Sequence, residues 1–112
     1  MDSRDLRDLV AFEAEGPARA DVLESTHLWS ELVCLDRNQQ YGPLQDPDTD
    51  ALFLVVAGEI VVQVERGRKR LKQWGDVLSP AGDEVTLTNA SSDPSVILVV
   101  TAPPPTPHAV TG

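Results

Sequence analysis

The chain has 112 residues, 41% of them hydrophobic and only 4% aromatic, and its formal net charge is −9. That length supports one domain around a single core, and so acidic a molecule repels phosphate backbones, so no nucleic-acid partner is expected. One cysteine, Cys34, allows no internal disulfide, no apolar run is long enough to span a bilayer, and the charged start Met1-Asp2-Ser3-Arg4-Asp5 does not read as a signal segment; a cytoplasmic protein with no membrane partner is expected.

Residues 1–24 read as a lead-in. Leu6, Leu9, Val10 and Phe12 stand among charges there, a pattern that fits a short helix or an edge strand, and Gly16-Pro17 ends it. A strand is expected near Ala20 to Glu24. Residues 25–102 carry the stronger signal, of strand, turn and strand. Leu28 to Leu35 is one strand, and Asp36 to Gln40 is a polar turn. Tyr41 to Asp50 holds Gly42, Pro43 and Pro47, which predicts a loop or an irregular, proline-broken edge. Leu52–Val56 and Ile60–Glu65 are strands on either side of Gly58. Arg66-Gly67 turns the chain into Lys69–Gln73. Val77-Leu78 is a brief strand between the turns Gly75-Asp76 and Pro80-Ala81-Gly82-Asp83. Glu84 to Asn89 alternates polar and apolar, and Val96 to Thr101 is apolar throughout, as a central strand buried on both faces would be. The tail, 103–112, carries four prolines and is expected to be flexible. No repeat of fixed period is present. β-Branched runs punctuated by glycine and proline predict an antiparallel all-β domain, closed or sandwiched.

Two stretches narrow that prediction. Asp50-Ala51-Leu52-Phe53-Leu54-Val55-Val56-Ala57-Gly58-Glu59 is similar to the end of the first cupin motif. Gly75-Asp76-Val77-Leu78-Ser79-Pro80-Ala81-Gly82, followed by Val85 and Asn89, is similar to the second. Over residues 28–102 the chain therefore resembles a small single-domain cupin, and the resemblance implies a double-stranded β-helix, the jelly-roll barrel. It also implies pairing into a homodimer through edge strands, with the N-terminal segment supplying contact. Metal-binding cupins place two histidines and a glutamate in the first motif and a histidine in the second. Here the histidine window reads Leu44-Gln45-Asp46-Pro47-Asp48, the glutamate position holds Ala51 and the second-motif histidine position holds Val85. Hydrocarbon side chains do not ligate, so no metal and no other cofactor is expected.

Other residues invite chemistry and meet objections. Asp46, Asp48 and Asp50 open like a calcium loop, but Ala51 and Ala57 stand where that loop needs its glycine and its bidentate acid, which leaves carboxylates that cap turns. His27 stands at the start of a strand and His108 in the proline-rich tail, so the two are not expected to converge; His27 reads as an exposed strand-end residue, with the cavity mouth as the alternative. Cys34, flanked by apolar neighbours with Glu31 and Asp36 nearby, reads as a small buried hydrophobe, because acids raise rather than lower a thiol pKa. Arg66, Arg68, Lys69, Arg70 and Lys72 crowd one hairpin, whose ordinary role is a solvated edge, with contact to a nucleic acid or an acidic partner as the alternative. Trp29, Tyr41, Phe53 and Trp74 are either cavity walls or packing anchors. The residues expected to line a cavity are Tyr41, Gln45, Phe53, Gln63, Val85 and Asn89; Gln63 either faces solvent by alternation or points inward to a hydrogen-bond partner. No catalytic residue is assigned.

The functional expectation is a metal-free module, homodimeric, that binds a small and largely apolar ligand in the barrel or acts structurally. The alternative is an enzyme of isomerase, lyase or oxygenase type, working through non-histidine ligands or a buried carboxylate such as Glu59 or Glu84.

Overall fold

The computed structural model describes residues 1–105. His108 and most of the tail expected to be flexible lie outside them. A short 3₁₀ helix at Leu6–Leu9 precedes nine strands: β1 (Ala18–Glu24), β2 (Trp29–Leu35), β3 (Gln40–Leu44), β4 (Asp50–Ala57), β5 (Glu59–Val64), β6 (Gly67–Lys72), β7 (Asp76–Ser79), β8 (Val85–Thr88) and β9 (Ser95–Ala102). They form two antiparallel sheets, a five-stranded one in the order β1-β2-β9-β4-β7 and a four-stranded one in the order β3-β8-β5-β6. This is the all-β jelly roll anticipated from the sequence. No helix among the described residues is long and apolar enough to cross a membrane.

Strand alternation decides what each sheet buries. On β4, Phe53 and Val55 point between the sheets, while Leu52 and Leu54 point away. On β2, Val33 and Leu35 point inward and Leu32 and Cys34 outward. The inward residues meet Ile60 and Val62 of β5, Leu71 of β6 and Leu87 of β8, and this aliphatic cluster is the main core. A smaller cluster (Ala18, Val22, Leu32, Cys34, Val96) lies on the outer face of the five-stranded sheet, with Leu6 and Leu9 of the lead-in packed against it.

Three segments differ from the sequence expectation or resolve it. The strand near Ala20 begins at Ala18, so part of the 1–24 lead-in is an edge of the five-stranded sheet. Its apolar residues face outward and its charges inward, an arrangement that hydropathy alone does not signal. Gln40–Leu44 is an edge strand with a register break between Tyr41 and Leu44, where Gly42-Pro43 interrupts the ladder. β9 is the middle of its sheet, but only its inward face is fully buried; Leu98 and Val100 on the outer face are half-buried. At the β4–β5 corner, Gly58 has φ +76° and a Cβ there would sit 2.5 Å from the Pro94 carbonyl oxygen, so glycine is required.

Candidate functional site

The sheets close on hydrocarbon at one end and part at the other. A cavity of about 520 Å³ opens there, within the usual range of small-molecule sites. Leu44, Phe53, Val85 and Val99 form its apolar wall, and its polar groups come mainly from β1, β2 and two loops.

The central group is Glu31. It shares the inward parity of Val33 and Leu35 on β2, two residues nearer the open end, and is only 1% exposed. A buried carboxylate must be hydrogen-bonded or paired, and both conditions are met. Arg19 of β1 donates from Nε to Oε1 and from Nη2 to Oε2, each at 2.9 Å. The Tyr41 hydroxyl, from β3 in the opposite sheet, donates to Oε1 at 2.8 Å. The Arg19 guanidinium also lies 5.1 Å from the centre of the Tyr41 ring, a cation–π contact. Burial, then the Glu31 charge, push the Tyr41 phenol far above its ordinary value, and Arg19 offsets part of that. The Glu31 carboxylate and the other nearby acids hold Arg19 more firmly protonated still. Beside this group Asp21, opposite Glu31 in the β1–β2 register, accepts a hydrogen bond from Trp29 Nε1 at 3.2 Å.

The rim is fixed by backbone bonds between two loops. Gly82 N–H donates to the Asp46 carbonyl, and Gln45 Nε2 donates to the Gly82 carbonyl, both at 2.8 Å. Asp50 Oδ1 accepts from Ala81 N–H at 2.8 Å, and Asp46 Oδ1 accepts from Asp48 N–H at the same distance. The tail crosses nearby, where Thr49 Oγ1 donates to the Pro103 carbonyl.

No family model matches the chain and no curated protein matches it; the likeness is to solved structures. The protein TT1209 from Thermus thermophilus superposes with a TM-score of 0.90 at 30% identity, over 94% of this chain and 100% of that one. An RmlC-like cupin from Shewanella frigidimarina NCIMB 400 has a TM-score of 0.72 at 16% identity, over 80% of this chain and 78% of that one. A sugar phosphate isomerase from a cupin superfamily, from Silicibacter pomeroyi DSS-3, has a TM-score of 0.66 at 18% identity, over 75% of this chain and 59% of that one. The chain has the cupin fold.

In this fold the positions that the motifs reserve for metal ligands do reach the cavity, since Ala51 and Val85 both line it. Their side chains carry no donor atom. Glu31, the most buried carboxylate on the wall, spends both oxygens on Arg19 and Tyr41. Among the described residues no three His, Cys, Asp or Glu side chains converge as a metal site. The residues present do not fit a transition metal.

Of the cavity residues expected from the sequence, Tyr41, Gln45, Phe53 and Val85 line the opening. Gln63 does not. It alternates with the inward Val62 and is exposed, its amide donating to the Glu65 carbonyl at 3.4 Å. Asn89 is fully buried but outside the cavity wall. Its amide donates to the Leu35 and Asp93 carbonyls and its oxygen accepts from Ser91, which ties the β8–β9 loop to the end of β2. Trp29 joins the wall, whereas Trp74 stands on the β6–β7 turn, 70% exposed. Glu84 is exposed and Glu59 pairs with Arg70 at 3.6 Å, so neither is the buried carboxylate of the site. His27 is an exposed turn residue, and burial raises the Cys34 thiol pKa. The basic residues of β6 lie exposed along a sheet edge, where charge discourages strand addition.

Arg19, Asp21 and Glu31 are the site residues the sequence reading did not reach. A signal existed for Glu31. Both parities of Leu28–Leu35 are apolar, so a carboxylate between them faces the interior whichever way the strand turns, and it needs a cation nearby.

Proposed function

We propose that this cupin is a metal-free, homodimeric binding module that takes a small molecule into the open end of its barrel. The cavity carries that reading: about 520 Å³, with a hydrocarbon wall on one side and fixed hydrogen-bonding groups on the other. Such a site holds the apolar body of a ligand against Phe53, Val85 and Val99 and directs its polar groups toward the rim. The Arg19–Glu31–Tyr41 group is satisfied without a ligand, so the pocket is preorganised and little ordering opposes binding.

A second copy of the chain would cover the outer face of the five-stranded sheet. Leu52 and Leu78 are register partners on β4 and β7 and point outward, and Leu78 is 58% exposed. The lead-in covers the β1–β2–β9 side of that face through Leu6 and Leu9, and leaves this pair open. A lone, buried thiol suits a cytoplasmic setting.

One observation favours the enzyme reading: a carboxylate hydrogen-bonded to a phenol inside a cavity is a potential proton-transfer pair for an isomerase or lyase. Against it, both Glu31 oxygens are already engaged by Arg19 and Tyr41, and the phenol ionises only at high pH.

The test is a ligand screen by NMR on the full chain, followed through the Trp29 indole N–H, with light scattering for mass. Saturable shifts at Trp29 and a mass of two chains support the proposal, and Leu78→Glu is expected to yield monomers. Stoichiometric transition metal in protein purified without chelator would count against the metal-free reading.

A further inference from the structure

We infer, resting on the reading of the barrel mouth as a small-molecule site, that its ligand carries a protonated amine and that Glu31 excludes anionic ligands. Among the described residues Arg19 is the single cation on the cavity wall, against the four carboxylates of Asp21, Glu31, Asp46 and Asp83. The guanidinium fork is the group that would recognise a ligand carboxylate or phosphate. Here Glu31 already fills that fork, with both bonds at 2.9 Å, and is itself buried and locked by Tyr41. An anion competing for that edge of the guanidinium would have to displace Glu31 into an apolar wall, leaving a charge without a partner. The protein carries its own copy of the anionic group and thereby closes that seat.

What remains favours the opposite sign. Asp46 and Asp83 enter no ion pair among the described residues. A cleft with excess negative charge and low-dielectric walls concentrates cations. The aromatic surface agrees, because the Tyr41 ring already bears a guanidinium on its face and Trp29 lies on the same wall. The sugar phosphate named for the Silicibacter neighbour would meet repulsion here.

Three probes on one skeleton separate the cases: glucosamine, glucose and glucose 6-phosphate, titrated into the full-length protein at low ionic strength and mildly acidic pH. The Trp29 indole N–H reports the site, and Trp74, outside the cavity, is the control. Glucosamine is expected to bind at least about tenfold more tightly than glucose 6-phosphate, the effect of one or two charges at partly solvated contact distance, and the gap should narrow with added salt. Asp46→Asn with Asp83→Asn should shrink the gap severalfold. Glu31→Gln frees the Arg19 fork and should raise affinity for glucose 6-phosphate; where that variant folds poorly, the paired aspartate variant at the rim carries the test. Equal affinities, or tighter binding of glucose 6-phosphate, would overturn the inference while leaving the mouth a binding site. No response at Trp29 to any of the three would remove the site and the inference together.

Discussion

The two ends of the space between the sheets are built from the same strands and differ in what the inward positions carry. On β2 the inward series runs Leu35, Val33, Glu31, Trp29 from closed end to open. On β9 it runs Ile97, Val99, Thr101, and on β4 Val55, Phe53, Ala51. The closed end is aliphatic and held by packing. The open end is held by a guanidinium, a carboxylate and a phenol drawn from both sheets. One backbone architecture thus supports two kinds of cohesion. Packing gains from every methylene it buries, whereas the polar group contributes little net stability but fixes where three side chains stand.

Ile97→Ala strikes the closed end and should have the largest effect on stability. The side chain is fully buried between the sheets, and truncation there is expected to cost about 2–5 kcal/mol through lost burial and an unfilled cavity. Denaturant unfolding measures it, and the Trp29 indole shift should stay in place. Movement of Trp29 comparable to that of core methyls would show that the two ends are one cooperative unit.

Glu31→Ala inverts the pattern. It leaves the Tyr41 hydroxyl without an acceptor and Arg19 without its partner, but the Arg19 side chain is 51% exposed and can turn to water. The expected loss is therefore about 1–3 kcal/mol, the range for a buried polar group left unsatisfied, with large shifts at Trp29 and Tyr41. A variant as stable as the parent would mean that Glu31 does not help to join the sheets.

The closed end was legible in the sequence because its strands are unbroken apolar runs bounded by turn residues. Runs such as Leu52–Val56 and Val96–Thr101 announce buried strands, and the glycine and proline corners mark the cupin motifs. The open end was half legible. Tyr41, Gln45, Phe53 and Val85 fall on or beside those motifs. Arg19 and Asp21 sit in a strand whose apolar face looks outward, so its charges read as solvated surface. The pairing of Arg19 with Glu31 is a tertiary fact, made by the β1–β2 register, and hydropathy contains no trace of it. Asn89 misled for a related reason: it holds a family motif position, and the motif serves the loop closure at the other end of the barrel.

Tyr41→Phe makes the smallest and most specific change. It removes one donor from Glu31 and keeps the ring and both Arg19 bonds, so the expected loss near neutral pH is about 1 kcal/mol. Its larger signature lies in alkali. An unfolded phenol ionises near pH 10. In the folded chain burial first, and the Glu31 carboxylate second, keep Tyr41 protonated well beyond that. Above about pH 10 the native state thus retains a proton that the unfolded chain has released, and stability must fall as pH rises; below that pH the contribution is fully present. Tyr41 is the only tyrosine in the chain, so phenolate absorbance reads this one group. The native protein should show no phenolate until it unfolds, whereas Tyr41→Phe should lose the part of the alkaline slope that this phenol supplies. Native phenolate appearing near pH 10 would mean that the hydroxyl is solvated, and the polar group joining the two sheets would then be open to water.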